Sequence, residues 1–374
     1  MLSEEIEKAQ KTVRTDAYQM SIGEIVGMYE NKEIIIDPEF QRLFRWNNSQ
    51  KSRLIESILL GIPLPSIFVF ERDNGVWELI DGLQRISTIL EFMGKLRCPD
   101  TTLAPPSILE ATNLEATKYL PSLHNAVWEE SERILGTSPD EQEEIDKGLQ
   151  LAIRRARLGV EILKRPSDDQ TKFELFQRLN AGGTQANAQE LRNCIVLMVN
   201  KDYYRSVRAA ADGQDFQTVV SVTDDQIERQ RHMELAVRFL VHAHVHYDGT
   251  LDVEDYIDEG IVHLAGSNEG AADAALINQT FSLLNTVAGR DALRRFEDGH
   301  HTGKVGLVGL EGIAVGVAQN LAAILTLPAP IDFVRDRIRS FWDQPQTANL
   351  TSPGLRGTIR IQRTVPFGAE WFRP

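Results

Sequence analysis

Apolar residues along this chain follow two rhythms, and the change between them falls near residue 166. Before it, short β-branched runs alternate with amphipathic helical stretches. Ser21, with Glu24 three residues on, forms a capping box that opens a helix through Tyr29. Residues 33–37 read as a brief strand stopped by Pro38. Residues 48–60 read as a helix with Leu54, Ile55, Ile58 and Leu59 on one stripe. Gly61, Pro63 and Pro65 break that helix. Two strands follow, 66–71 and 76–80, joined by a turn at Asp73, Asn74 and Gly75. The second strand runs through Asp81 and Gly82 into another helix. From 98 to about 149 the pattern is irregular, with Pro105, Pro106, Pro121, Pro139 and an acidic run at 140–144, and an insertion of loops and short helices is expected. A last strand, 158–163, precedes Pro166.

Beyond Ser167 a 3.6-residue period predicts helices over 171–179, 188–199, 225–247, 271–287, 307–325 and 331–342. The tail mixes Gly354, Gly357 and Gly368 with Arg356, Arg360, Arg363 and Arg373 and reads as a basic hairpin or extended segment. The fold class expected is α+β, a small mixed α/β domain followed by a mainly α-helical one. The domains expected are 16–166 with its insertion at about 99–150, 167–348, and the tail 349–374.

With 374 residues and 42% apolar content, two packed cores are expected. A net charge of -14 argues against a surface that coats DNA generally, because such binding neutralises phosphates with Lys and Arg. Cys98 and Cys194 lie far apart, without the spacing of a zinc site or a disulfide framework. A polar N-terminus and the lack of any run of about 18 apolar residues lead to the expectation of a cytoplasmic protein with no membrane partner.

Three polar knots carry the candidate chemistry. The first is the turn at Asp81 and Gly82. A glycine there lets backbone approach a ligand, and the first helical turn offers N–H groups and the positive end of the helix dipole, as a phosphate site requires. Gln84, Arg85, Ser87 and Thr88 add donors, and Arg85 can fork onto two phosphate oxygens. The plainer alternative makes Asp81 a simple N-cap and Gly82 an ordinary turn. The second knot sets Gln41, Arg42 and Arg45 beside Phe40, Phe44 and Trp46; guanidinium groups suit phosphate and rings suit a base, while an amphipathic loop plugging the core explains the same residues. In the third, Gly182 and Gly183 separate two helices, the later capped by Asn187 with Glu190 at N3. Ordinary helix-turn-helix punctuation explains most of this knot, and its polar set of Asn180, Thr184, Glu190 and Arg192 offers the second reading of a turn that closes over a ligand. His242 and His246, spaced i, i+4, read as a solvated helix end more readily than as metal ligands. His300 and His301 read as exposed loop residues, and Arg229 to Glu234 as a salt-bridged helix face.

The segments Pro38-Glu-Phe-Gln-Arg-Leu-Phe-Arg-Trp46, Gly61-Ile-Pro-Leu-Pro-Ser-Ile67, Ile80-Asp-Gly-Leu-Gln-Arg-Ile-Ser-Thr-Ile89 and Leu179-Asn-Ala-Gly-Gly-Thr184 with Gln189-Glu-Leu-Arg-Asn193, in that order, resemble the N-terminal domain family of GmrSD-type restriction endonucleases. The resemblance spans about residues 20–200. It implies a ParB/sulfiredoxin-like first domain that binds and hydrolyses a nucleoside triphosphate, in bacterial defence against phage or modified DNA. It marks Asp81, Gly82, Gln84 and Arg85 as the catalytic and phosphate-binding turn, with Gln41, Arg42 and Arg45 as supports; the polar residues Ser87, Thr88, Asn180 and Thr184 are added as ligand-binding candidates from their places in the first and third knots. Where the family's commonest form has Gln, this chain has Leu83. The histidine pattern of the HNH nuclease carried by larger members is not found.

The expected cofactors are an NTP and Mg²⁺, with Asp81 as metal ligand. Candidate partners are DNA, a partner nuclease or another defence protein, and a second copy of the chain. Two other readings stay open: a ParB-like metal-dependent DNA nickase using Asp81, and a nucleotide sensor that does not hydrolyse.

Overall fold

A computed structural model describes residues 14–36, 46–72, 74–98, 107–134, 136–164, 188–223, 226–227, 230–347, 350 and 354–374. The chain divides into two units, Met1–Gln185 and Ala186–Pro374. The architecture is α+β, with the sheet in the first unit and a mainly helical second unit.

In chain order the first unit contains β1 (Arg14–Ser21), α1 (Ile22–Glu30), β2 (Ile34–Ile35), α2 (Asn48–Leu59), β3 (Ile67–Glu71), β4 (Trp77–Asp81), α3 (Leu83–Phe92), β5 (Ala126–Val127), β6 (Glu143–Glu144), α4 (Lys147–Arg155) and β7 (Arg157–Lys164). Five strands form one sheet in the order β1-β7-β3-β4-β2. The β1–β7 and β3–β4 pairs are antiparallel, whereas β7–β3 and β4–β2 are parallel. Leu158, Val160 and Ile162, two apart along β7, bury one face of the strand in a core shared with Ile67, Val69 and Leu79. Ile22, Ile25 and Val26 from α1, Leu54, Ile55 and Ile58 from α2, and Ile86, Ile89 and Leu90 from α3 complete that core. Ser21 caps α1 by accepting from the Glu24 N–H at 3.2 Å, and Asn47 with Gln50 closes a full capping box on α2.

The insertion is docked rather than appended. Along α2, Asn48, Ser52 and Glu56 fall four residues apart on one face. Asn48 Nδ2 donates to Asn113 O at 2.9 Å, and Ser52 Oγ accepts from the Glu115 N–H at 2.8 Å. The Glu56 carboxylate accepts from the Thr117 hydroxyl and from the N–H groups of Tyr119 and Leu120. Leu114, Leu123, Ala126, Trp128 and Ile145 then enter the main core.

The second unit contains α5 (Ala188–Val199), α6 (Lys201–Ala211), α7 (Gln214–Val220), α8 (Arg231–His244), α9 (Val253–Gly266), α10 (Gly270–Ala288), the hairpin β8 (Arg295–Glu297) and β9 (His300–Thr302), a π-helix (Gly309–Ala314), α11 (Val315–Gln319), α12 (Leu321–Leu325), α13 (Pro330–Phe341) and α14 (Gly357–Trp371). Phe281 sits at its centre, with ring centroids 4.4 Å from Phe216 and 5.1 Å from Phe239. Among the described residues no helix is long and apolar enough to cross a membrane.

Several expectations are corrected here. The basic hairpin or tail expected over 349–374 is instead the helix α14 across Gly357–Trp371. Its glycines do not punctuate a turn: Gly368 lies against the carbonyl of Gly312, where a Cβ would overlap it. The helix expected over 225–247 is broken: Gln226 and Ile227 are helical, but Gln230 takes a left-handed conformation at φ 60° and α8 runs from Arg231 to His244. The helix expected over 307–325 is interrupted by the π-helix and by Asn320. His242 is buried, not a solvated helix end, and α8 stops at His244 before reaching His246.

Candidate functional site

The site expected at the end of β4 is built by backbone geometry first. Asp81 closes the strand opposite Phe68, beside a register shift in the β3–β4 ladder. Gly82 follows at φ 94°, ψ 13°, a left-handed conformation that turns the chain sharply into α3. A Cβ there would overlap Cγ2 of Ile67 on β3. Glycine is therefore required both by its φ and by the closeness of the neighbouring strand. Gly82→Val is expected to shift β4 against β3 and lower the thermal midpoint by several degrees, a change of about 2 kcal/mol or more, read by calorimetry; an unaltered midpoint would contradict this account of the turn.

Gly82 is itself the N-cap of α3, and among the described residues no side chain caps this helix. The alternative in which Asp81 is a simple N-cap is thus replaced by a different arrangement. Asp81 Oδ2 accepts from Nη2 of Arg85 at 3.1 Å, one helical turn on. Arg85 Nη1 donates to the carbonyls of Pro65 and Ser66, the latter at 3.0 Å. Among the described residues these bonds account for three of the five N–H groups that a guanidinium carries, leaving Nε and one hydrogen of Nη2 for a further acceptor. The Arg85 side chain keeps 14% and Asp81 28% of its surface, so the pair can be reached from solvent. Burial pulls the Arg85 pKa below its ordinary value, and Asp81 opposes that.

Gln84 ties the turn to the second polar knot. Its Oε1 accepts from the backbone N–H of Trp46 at 3.2 Å, bridging 38 positions of sequence. Trp46, Trp77 and Leu83 are each partly buried against the core. Leu83 therefore spends its side chain on packing, where the family's commonest form has a polar group.

Ser87 and Thr88 do not join the donor set. Both are buried. Thr88 Oγ1 donates back to the Gln84 carbonyl at 2.7 Å, and Ser87 Oγ has no partner among the described residues. Their positions, five and six beyond Gly82, face the core rather than the mouth of the turn. Arg192, offered in sequence as part of a set closing over the ligand, is buried in ion pairs with Glu254 and Asp258 of α9. Gln41, Arg42, Arg45, Asn180 and Thr184 lie outside the described residues.

One contributor went unread in the sequence. Lys51 of α2 pairs with Glu91 of α3 at 2.6 Å, with both side chains largely buried. Burial raises the Glu91 pKa and Lys51 opposes the rise. The pair fixes α3 against α2, and at 40 positions of separation it leaves no local trace in the sequence. Among the described residues no group of three His, Cys, Asp or Glu side chains is arranged to hold a metal.

Residues 22–197 match the model of the GmrSD restriction endonuclease, N-terminal domain. These residues, a little under half of the chain, form a region similar to that domain. No curated protein and no solved structure matches the chain. The GmrSD match takes in α1 through most of α5, and with them the Asp81 turn, the Trp46 contact, the insertion and β7.

Proposed function

We propose that this chain is a nucleotide-binding and NTP-hydrolysing component of a bacterial restriction or anti-phage system, acting as a switch for DNA processing. The observation that supports it best is the bond from Trp46 to Gln84, which sets Trp46 beside a helix start that no side chain caps among the described residues. Phosphate oxygens would be held by the N-terminal turn of α3 and by the remaining donors of Arg85. Bound Mg²⁺ would supply charge neutralisation on the phosphates, and Asp81, a single carboxylate, suits the sparse protein ligation this ion accepts when phosphates complete its shell. Gln84 or Asp81 would orient the attacking water, since phosphoryl transfer depends chiefly on positioning and electrostatics.

One observation favours the sensor reading over turnover. Leu83, where the family's commonest form has Gln, packs against the core and offers no polar group to water or metal, while the Asp81 carboxylate keeps acceptor capacity beside its bond to Arg85. Two measurements on the purified chain separate these readings. A screen of ATP, GTP, CTP and UTP, each with and without Mg²⁺, should raise the melting temperature with at least one nucleotide, corresponding to about 2.7 kcal/mol at a hundredfold excess over Kd. Phosphate release over hours then distinguishes hydrolysis from binding alone. If none of the four stabilises the protein, the proposal fails.

A further inference from the structure

The second unit holds a cavity of about 330 Å³, bounded by the C-terminal end of α8, Tyr247, Gln319 and α14. That volume lies within the range of small-molecule sites. His242 lines it with 2% of its surface exposed, and both ring nitrogens are buried without a hydrogen-bond partner among the described residues. Buried polar groups are ordinarily satisfied, and leaving one unmet costs about 1–3 kcal/mol.

The surroundings restrict what could satisfy it. Tyr256 stacks on the imidazole with centroids 5.6 Å apart and planes at 27°, and Tyr247 leans on Tyr256 at 4.6 Å. Both hydroxyls are committed, Tyr256 to the Val245 carbonyl at 2.8 Å and Tyr247 to the Leu251 carbonyl at 2.6 Å. Ile361, Val365 and Ala369 give an apolar wall. Burial first, then the charges of Arg238 and Arg360, hold the His242 pKa down to about 3, so the ring is neutral at physiological pH with one donor and one acceptor nitrogen. Each arginine is already answered, Arg238 by Glu234 and Glu254 and Arg360 by Glu311. Among the described residues no lysine or arginine lines the cavity and its His244 is answered by Asp273 at 3.0 Å, while a cation at His242 would meet the charges of Arg238 and Arg360.

We propose that this cavity is a ligand site for a small uncharged planar molecule, an aromatic amide or amino-heterocycle, whose N–H donates to the acceptor nitrogen of His242. The ring of the ligand lies between the tyrosines and the apolar side of α14. This site is independent of the Asp81 turn.

Benzamide and adenine are the probes, each titrated into the full chain by calorimetry and followed by saturation-transfer NMR. At least one should bind with a Kd near or below about 1 mM. His242→Phe, which keeps a ring but removes both nitrogens, should weaken binding by about tenfold or more. Val365→Trp, at a half-buried wall position, should block it by filling the space, which guards against a folding defect in the first variant. Arg85→Ala should leave probe binding unchanged. Absence of binding by both probes, or binding that survives both cavity variants, overturns the proposal.

Discussion

Replacing Arg85 by alanine is expected to abolish nucleotide binding. A charge-assisted bond contributes about 1.5–3 kcal/mol, so losing two phosphate contacts from one guanidinium weakens affinity by roughly a hundredfold or more. The same substitution removes the bonds to Asp81, Pro65 and Ser66, which join α3 to the end of β4 and to the start of β3. A stability loss of about 1–3 kcal/mol therefore accompanies it, and a melting curve in the absence of ligand measures that part separately. Arg85→Lys resolves the two effects. Lysine keeps the charge but cannot fork, so it should recover partial affinity while failing to bridge both carbonyls. Unchanged nucleotide affinity in Arg85→Ala, measured by calorimetry, would remove the phosphate role and leave Arg85 as a structural clamp.

That clamp shows where sequence reasoning stops. The helices at 22–30 and 48–59 and the strands at 67–71, 77–81 and 157–164 were legible because their apolar residues keep a single period and their caps or breakers stand at the ends. The strand Arg14–Ser21 was not. It is an edge strand with Ala17, Tyr18 and Gln19 exposed, held by its ladder to β7, and it offers no alternating pattern to read. In the helical unit, α6, α7 and α9 were missed although α5 was read with its observed bounds, 188–199. At the site, the polar density around Asp81 was visible, yet periodicity could not say which donors face inward. Ser87 and Thr88 share the first two turns with Arg85, and the packing of Ile86 and Ile89 decides that they point into the core. Arg192 fails for the complementary reason: its partners Glu254 and Asp258 lie 62 and 66 positions away, and charge pairing at that separation leaves no local trace.

The largest loss of stability is expected at Glu311, for the same long-range reason. This carboxylate is fully buried within the π-helix, and Arg360 of α14 grips it with Nε 2.9 Å from Oε2 and Nη2 2.9 Å from Oε1. Removing one member of a buried pair strands the other, so Glu311→Ala should cost about 3–5 kcal/mol. That corresponds to roughly 10 °C in the midpoint of the helical unit's transition. Burial raises the Glu311 pKa above its ordinary value, with Arg360 only partly offsetting the rise. A carboxyl raised in this way favours folding fully below its unfolded pKa, and that contribution fades as pH climbs through the raised value. Glu311→Gln, which imitates the protonated acid and keeps an acceptor for Arg360, should therefore cost clearly less than alanine and should flatten the decline of stability above the ordinary carboxylate range. Pairing Glu311→Met with Arg360→Met removes both charges from the interior and should recover most of the alanine loss, since apolar replacement of a whole buried pair is often neutral. A loss under about 1 kcal/mol in Glu311→Ala would mean that Arg360, with 17% of its side chain exposed, reaches water and leaves no stranded charge behind.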